Sequence, residues 1–282
     1  MFCLIEKLLI LICCLPMFSI AESHSVPFSV INGMIIIEAS IDNEKGLFIL
    51  DTGADDVILN GMLQGERETQ VFNTVSGGFE SEASSIEGVS IGDLTLKHKK
   101  SFIANLQNLE DWLGIKLKGI LGAQVFTPNV ISIDYKSKEL LIASDISEVE
   151  QRFYKANPIK SVRGVLLVDV EIDATAHSFI LDSGATSHFI DVNTCQSNST
   201  QYRFLDEKVN IKTADSLLEE KNVIQLKAAS IGGTPLANNR YIISDLSSLS
   251  ESLGRKVGGL LSLTKLSKDG FLIDLKNKVL YL

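Results

Sequence analysis

Cysteine is scarce, and most of it is concentrated at one end. Of four cysteines in 282 residues, Cys3, Cys13 and Cys14 fall within the first fourteen positions, which leaves Cys195 alone in the remainder. One thiol cannot close an internal disulfide, so the fold must stand on its apolar core. No histidine lies near Asn193-Thr194-Cys195-Gln196, and Cys195 reads as an incidental loop thiol. His24, His98, His177 and His188 are scattered without metal-ligand spacing, so neither a metal nor another cofactor is expected. Positive charge is in deficit as well: 26 Lys and Arg face 35 Asp and Glu, a net charge of −9. With no basic cluster to offset that balance, a phosphate backbone would be repelled, and nucleic acid is not an expected partner.

Long hydrophobic runs are also missing. The longest candidate, Leu8 to Ile20, is broken by Pro16 and offers roughly 13 residues where a bilayer-spanning helix needs about 20. It follows Glu6-Lys7 and ends in Ser19-Ile20-Ala21, with small residues at the −3 and −1 positions of a cleavage site. Residues 1–21 therefore read as a signal peptide. Export to the periplasm or the exterior follows, with no stable membrane insertion after cleavage; an uncleaved N-terminal anchor is the alternative. No Gly, Ala or Ser precedes Cys13 or Cys14, which argues against a lipoprotein site.

What the chain does have is an internal repeat. Pro27 to Asn60 aligns without a gap to Pro158 to Asp191, at an offset of 131 (Asp51 onto Asp182). Pro27/Pro158, Gly33/Gly164, Ile41-Asp42/Ile172-Asp173 and Phe48-Ile49-Leu50-Asp51/Phe179-Ile180-Leu181-Asp182 coincide. A second block repeats at an offset of 140 (Gly119 onto Gly259): Ser90-Ile91-Gly92 with Ser230-Ile231-Gly232, Leu113-Gly114 with Leu253-Gly254, and Ile133-Asp134 with Ile273-Asp274. The second copy thus carries nine extra residues between about Asp191 and Ser230. Two blocks in one order make two homologous lobes. The expected organisation is a first lobe over 22–148, a linker over 149–157 and a second lobe over 158–282.

Within each lobe the pattern is β. Residues 34–41 and 165–172 are β-branched runs of strand length, and Asp42 to Gly46 supplies a turn before Leu47-Phe48-Ile49-Leu50. Residues 131–135 and 139–142 flank Lys136-Ser137-Lys138 as a hairpin. Short helices are expected over 106–113 and 246–253, and another over 146–155 as connector. Each lobe then carries an apolar strand that runs into Asp51-Thr52-Gly53-Ala54 or Asp182-Ser183-Gly184-Ala185. One such tetrapeptide is a common turn sequence. Two, in matching places of a duplication, are a candidate pair of carboxylates.

On these motifs, and on Ile120-Leu121-Gly122 later in the first lobe, the chain resembles the aspartic proteases, in particular their retropepsin-like branch. The resemblance implies an all-β fold of two homologous β-barrel lobes with short helices and an active site in the interlobe cleft. It implies that Asp51 and Asp182 act together on a peptide or protein substrate, with Thr52 and Ser183 hydrogen-bonding across the interface to lock the two loops. Gly53 and Gly184 would allow the tight loops and bring backbone N–H groups near the carboxylates. A chain that supplies both lobes is expected to work as a monomer.

The alternative is an inactive module of the same fold that grips extended peptides. Ser76, Gly77 and Gly78, within Thr74 to Phe79, are the candidate flap over the substrate, with Thr213 to Ser216 in the corresponding region of the second lobe. One departure favours this alternative, and one motif match points to a different chemistry. Leu260-Leu261-Ser262 replaces the family glycine in lobe two, and strain is expected at Ser262 if that backbone needs positive φ or close approach. Gly88-Val89-Ser90-Ile91-Gly92 matches a serine-hydrolase elbow, but the residues after it continue as strand, whereas the elbow needs a helix there.

Overall fold

The unbroken apolar runs before Asp51 and Asp182 arise because both faces of each strand are covered. In a computed structural model that describes residues 23–65, 69–74, 77–149, 155–212 and 218–282, Phe48 and Leu50 enter a core shared by the two halves of the chain, while Ile49 enters a separate cluster on the cleft side. Phe179 and Leu181 join the same shared core, and Ile180 faces a second cleft-side cluster. Strands buried on both faces lose the polar alternation of a half-exposed strand.

The first half is built from β1 His24–Ile31, β2 Met34–Ile41, β3 Glu44–Asp51, β4 Val57–Asn60, β5 Thr69–Thr74, β6 Gly77–Ser85, β7 Val89–Ile91, β8 Leu94–Leu96, β9 Lys100–Ala104, β10 Gly119–Gly122, β11 Val130–Asp134 and β12 Glu139–Ala143. The second half repeats it with β13 Ala156–Val162, β14 Val165–Ile172, β15 Thr175–Asp182, β16 His188–Asp191, β17 Tyr202–Lys212, β18 Leu218–Leu226, β19 Ser230–Ile231, β20 Thr234–Pro235, β21 Arg240–Ser244, β22 Gly259–Ser262, β23 Gly270–Asp274 and β24 Val279–Tyr281. Helices are short: α1 Gln107–Leu113, α2 Val192–Ser197, α3 Ser247–Leu253 and α4 Leu263–Leu266. Among the described residues, no helix is long and apolar enough to cross a membrane.

Strand order is the same in both halves. In the first it runs β1-β2-β3-β10-β4-β9-β6-β5, and in the second β13-β14-β15-β22-β16-β21-β18-β17. The β3–β10 and β15–β22 pairs are parallel, so Asp51 ends level with Gly122 and Asp182 level with Ser262. The β1–β2 turn (Asn32 φ 50°, Gly33 φ 87°) and the β13–β14 turn (Arg163 φ 49°, Gly164 φ 86°) both use two positive-φ residues, the backbone twist that two-residue hairpins favour.

A separate antiparallel sheet joins the halves in the order β1-β12-β11-β23-β24-β13. Its centre is the β11–β23 pair, where Ser132 faces Leu272, Val130 faces Asp274 and Asp134 faces Gly270. Ser132 and Leu272 are equivalent positions of the repeat, so an approximate two-fold axis passes between them and the contact is isologous.

The expected helices over 106–113 and 246–253 correspond to α1 and α3, and the expected hairpin over 131–142 is β11–β12. The connector differs. Ile146–Glu148 is a single 3-10 turn capped by Asp145, and 150–154 lie outside the described residues. Cys195 is also not in a loop: it sits buried on α2, which Asp191 caps and which falls within the nine-residue excess. Ser90 lies on β7 and is followed by β8, so the Gly-x-Ser-x-Gly match has no helix behind it and is not an elbow. The expected signal peptide lies outside the described residues.

Symmetry fails at Gly270, whose counterpart in the first half is Val130. Its φ is 142°, and a Cβ there would fall 1.8 Å from the Ile133 carbonyl oxygen across the interface. Gly270→Ala is expected to lower stability by about 3 kcal/mol or more, from overpacking plus backbone strain. Urea unfolding of the variant beside the wild type measures this.

Candidate active site

The geometry of the interlobe loops follows from hydroxyl groups at the second motif position. Thr52 Oγ1 donates to the Leu181 carbonyl (2.9 Å) and accepts from the Ser183 N–H (3.0 Å). Ser183 Oγ donates to the Leu50 carbonyl (2.8 Å) and accepts from the Thr52 N–H (2.9 Å). Both residues are fully buried, so all four bonds are shielded from water and each hydroxyl uses its donor and an acceptor site. This is the cross-lobe lock that the family resemblance implies for Thr52 and Ser183.

Locking the loops brings the Asp51 and Asp182 carboxyls within hydrogen-bonding reach of each other at the floor of a cleft. Asp51 Oδ1 accepts from the Gly53 N–H at 2.8 Å and the Ala54 N–H at 3.3 Å. Asp182 Oδ1 is buried without a hydrogen-bond partner among the described residues. Burial raises the affinity of both groups for a proton. For Asp182 the Asp51 charge adds to burial and pushes it well above the ordinary carboxylate range. For Asp51 burial also prevails, although hydrogen bonds from Asp182 and from the Gly53 and Ala54 amides work against the rise. Two such carboxyls cannot both ionise cheaply, so the pair retains a proton.

The motif glycines serve this closeness. Neither Gly53 nor Gly184 has positive φ. A Cβ at Gly53 would lie 2.6 Å from Asp182 Cγ, and one at Gly184 would lie 2.5 Å from Asp51 Cγ. Each glycine therefore leaves room for the carboxyl of the opposite lobe. Ala54 and Ala185 line the cleft beside them. Just beyond, Gly33 meets Thr186 and Gly164 meets Asp55, equivalent contacts that seat each β-hairpin turn on the other lobe's loop.

The cleft has a volume of about 430 Å³. Met34, Ile58, Phe72, Phe79 and Trp112 line it from the first half, and Ile180, Phe189, Val209, Ile211 and Leu260 from the second. Phe72 and Phe79 belong to the β5–β6 hairpin, which packs against α3 of the opposite half. The sequence-based flap lies on this hairpin: Gly77 and Gly78 begin β6, while Ser76 falls outside the described residues. Val209 and Ile211 place a second hairpin, β17–β18, at the cleft. Its expected tip, Thr213 to Ser216, also lies outside the described residues.

Sequence reasoning missed a charged anchor behind the first motif. Asp56 is buried and pairs with Lys100 Nζ and with His98 Nε2 (3.3 Å) on and beside β9. Burial works to raise this carboxyl, but the His98 and Lys100 contacts outweigh it and hold Asp56 below its ordinary value. The signal was the Asp55-Asp56 pair, which the second lobe replaces with Thr186-Ser187.

The strain expected at Ser262 is absent. Its φ is −65° and that of Gly122 is −79°, both ordinary for any residue. Only the close approach is real, and only in the first lobe, where a Cβ on Gly122 would fall 2.5 Å from the Asp56 carbonyl oxygen.

Because Asp182 holds its proton more tightly folded than unfolded, the native state binds more protons above the unfolded value near 3.8. Stability then falls as pH rises from that value through the folded one. Asp182→Asn is expected to remove this descending limb and to stabilise the protein near neutral pH, which thermal melts across pH measure.

No protein-family model matches the sequence, and no curated protein matches it. Among solved structures, the aspartic proteinase from Irpex lacteus is similar at 13% identity and a TM-score of 0.52, with 92% of this chain and 96% of that chain covered. At that identity the likeness is one of fold: the chain has the two-lobed, mostly β architecture of a pepsin-like aspartic proteinase.

Proposed function

We propose that the protein is an aspartic endopeptidase whose catalytic pair is Asp51 and Asp182. The observation that carries this reading is the meeting of two carboxyls, one from each lobe, in a largely apolar cleft. Peptide hydrolysis without a metal or a covalent intermediate needs a base for the attacking water and an acid for the carbonyl oxygen. A dyad with one proton between two carboxyls supplies both. The ionised member takes a proton from water as it attacks the carbonyl carbon. The protonated member donates to the developing oxyanion, which gives a gem-diol. The C–N bond then breaks as the first carboxyl passes its proton to the amine nitrogen and the second takes a proton back from a diol hydroxyl, which restores the dyad.

The rigid cross-lobe lock supports this role, because a general acid and base must hold their separation through both proton transfers. Apart from the pair, no charged side chain lines the cleft among the described residues, which favours substrates with uncharged, apolar side chains beside the scissile bond. The same proposal includes export after loss of residues 1–21, lobes spanning 22–148 and 158–282, and action as a monomer.

Cleavage of a denatured protein mixture from acidic to neutral pH tests the proposal. The wild type is expected to cut, mainly beside apolar residues, and Asp51→Asn and Asp182→Asn to lose at least about 1,000-fold in rate. Equal rates in all three would overturn the catalytic assignment. Peptide binding without cleavage in the wild type would identify the module as a binder.

A further inference from the structure

We propose that Ser262 and His188 form a coupled positioning pair that holds the Asp182 loop, in place of the backbone staple that holds the Asp51 loop. The inference rests on the catalytic reading of Asp182.

In the first lobe three consecutive carbonyls, beginning with the last motif residue, are tied by backbone amides. Ala123 N–H donates to Ala54 O (3.0 Å), Gln124 N–H to Asp55 O (2.9 Å) and Gly122 N–H to Asp56 O (3.1 Å). This closeness needs a glycine, since a Cβ at 122 would sit 2.5 Å from Asp56 O and 2.6 Å from the Asp55 carbonyl carbon.

The second lobe has Ser262 at that position, and its backbone cannot come so near. The β4–β10 ladder continues to the Val57–Leu121 pair, whereas the β16–β22 ladder stops at Phe189–Leu260, one pair short of His188. Side chains take over. Ser262 Oγ donates to the Ala185 carbonyl at 2.6 Å, the position that an amide fills in the first lobe. Thr264 Oγ1 sits 2.9 Å from Ser262 Oγ. The Ser262 N–H, left without the carbonyl that Gly122 finds, donates to His188 Nδ1 at 3.0 Å. His188 stands where the first lobe has Val57, which has no acceptor to offer.

The two substitutions are therefore one change. Serine at 262 displaces the loop backbone and strands an N–H, and histidine at 188 accepts it. Because Nδ1 accepts, the ring must be neutral with its proton on Nε2. The ring is fully buried and packs on Tyr241 of β21 (5.3 Å between centroids), and Lys265 on α4 is the cation that acts on it. Burial first, and then Lys265, lower its proton affinity to about 4, so the neutral form persists into acid. Neither residue lines the cleft.

Two measurements test the pair. In the cleavage assay, His188→Val is expected to lower kcat about 10- to 100-fold with little change in KM, because Asp182 is mispositioned while the cleft walls are untouched. Adding Ser262→Gly recreates the Val/Gly combination of the first lobe and is expected to restore most of the lost kcat. Losses that simply multiply in the double variant, or His188→Val with wild-type kcat, would overturn the proposal. Independently of activity, ring-nitrogen NMR of the histidine-labelled full chain is expected to show His188 as the Nε2–H tautomer, with a midpoint near 4. A proton on Nδ1 at neutral pH, or titration in the ordinary histidine range, would overturn it even if the chain cleaves nothing. Absence of cleavage alongside the expected tautomer would sink only the catalytic reading.

Discussion

Two carboxyls that face each other in one cleft would repel if both were ionised, and neither can shed its partner without moving a whole lobe. Much of the architecture around them can be read as the means of keeping them there. The Thr52 and Ser183 hydroxyls tie each loop to the strand that delivers the other, through four bonds shielded from water. Gly53 and Gly184 leave open the space that the opposite carboxyl occupies. Behind them, Phe48 to Leu50 of β3 and Phe179 to Leu181 of β15 are buried on both faces, so the carboxyls sit at the ends of strand segments that have little freedom to shift.

Duplication makes such closeness attainable. An isologous sheet centred on Ser132 and Leu272 sets the two halves about one axis, and the axis brings equivalent positions together. The same symmetry seats Gly33 on Thr186 and Gly164 on Asp55. Once fused in one chain, the halves were free to differ where the axis does not require identity. Asp56 is anchored by Lys100 and His98 in one lobe only, and the other lobe exchanges a backbone staple for Ser262, Thr264 and His188. The two solutions hold equivalent loops by different chemistry.

Much of this was legible in the residues. Gapless repeats at two offsets announced the lobes, the strand runs and α1 and α3, because equivalent elements reuse equivalent apolar patterns. The paired motifs announced Asp51 and Asp182. The sequence also displayed histidine in place of Val57 and serine in place of Gly122, but as two unrelated asymmetries 74 residues apart. Only the fold makes them neighbours, and only the stranded amide explains why they occur together. The Asp56 anchor was hidden for a similar reason: Lys100 comes from β9, a parallel neighbour of β4 that follows forty residues later, and His98 from just before it. Burial of Cys195 was hidden because α2 has no counterpart in the first lobe from which to read it.

The chemistry proposed for the site turns on a single proton held between Asp51 and Asp182, and infrared difference spectroscopy at neutral pH reads that proton directly through the C=O stretch of a protonated carboxylic acid. The wild type is expected to show one such band that disappears in Asp182→Asn, where the amide cannot ionise against the Asp51 charge and can still donate a hydrogen bond to it. A wild-type spectrum without the band, or a band that survives in that variant unchanged, would contradict a shared proton and with it the chemistry proposed for the site.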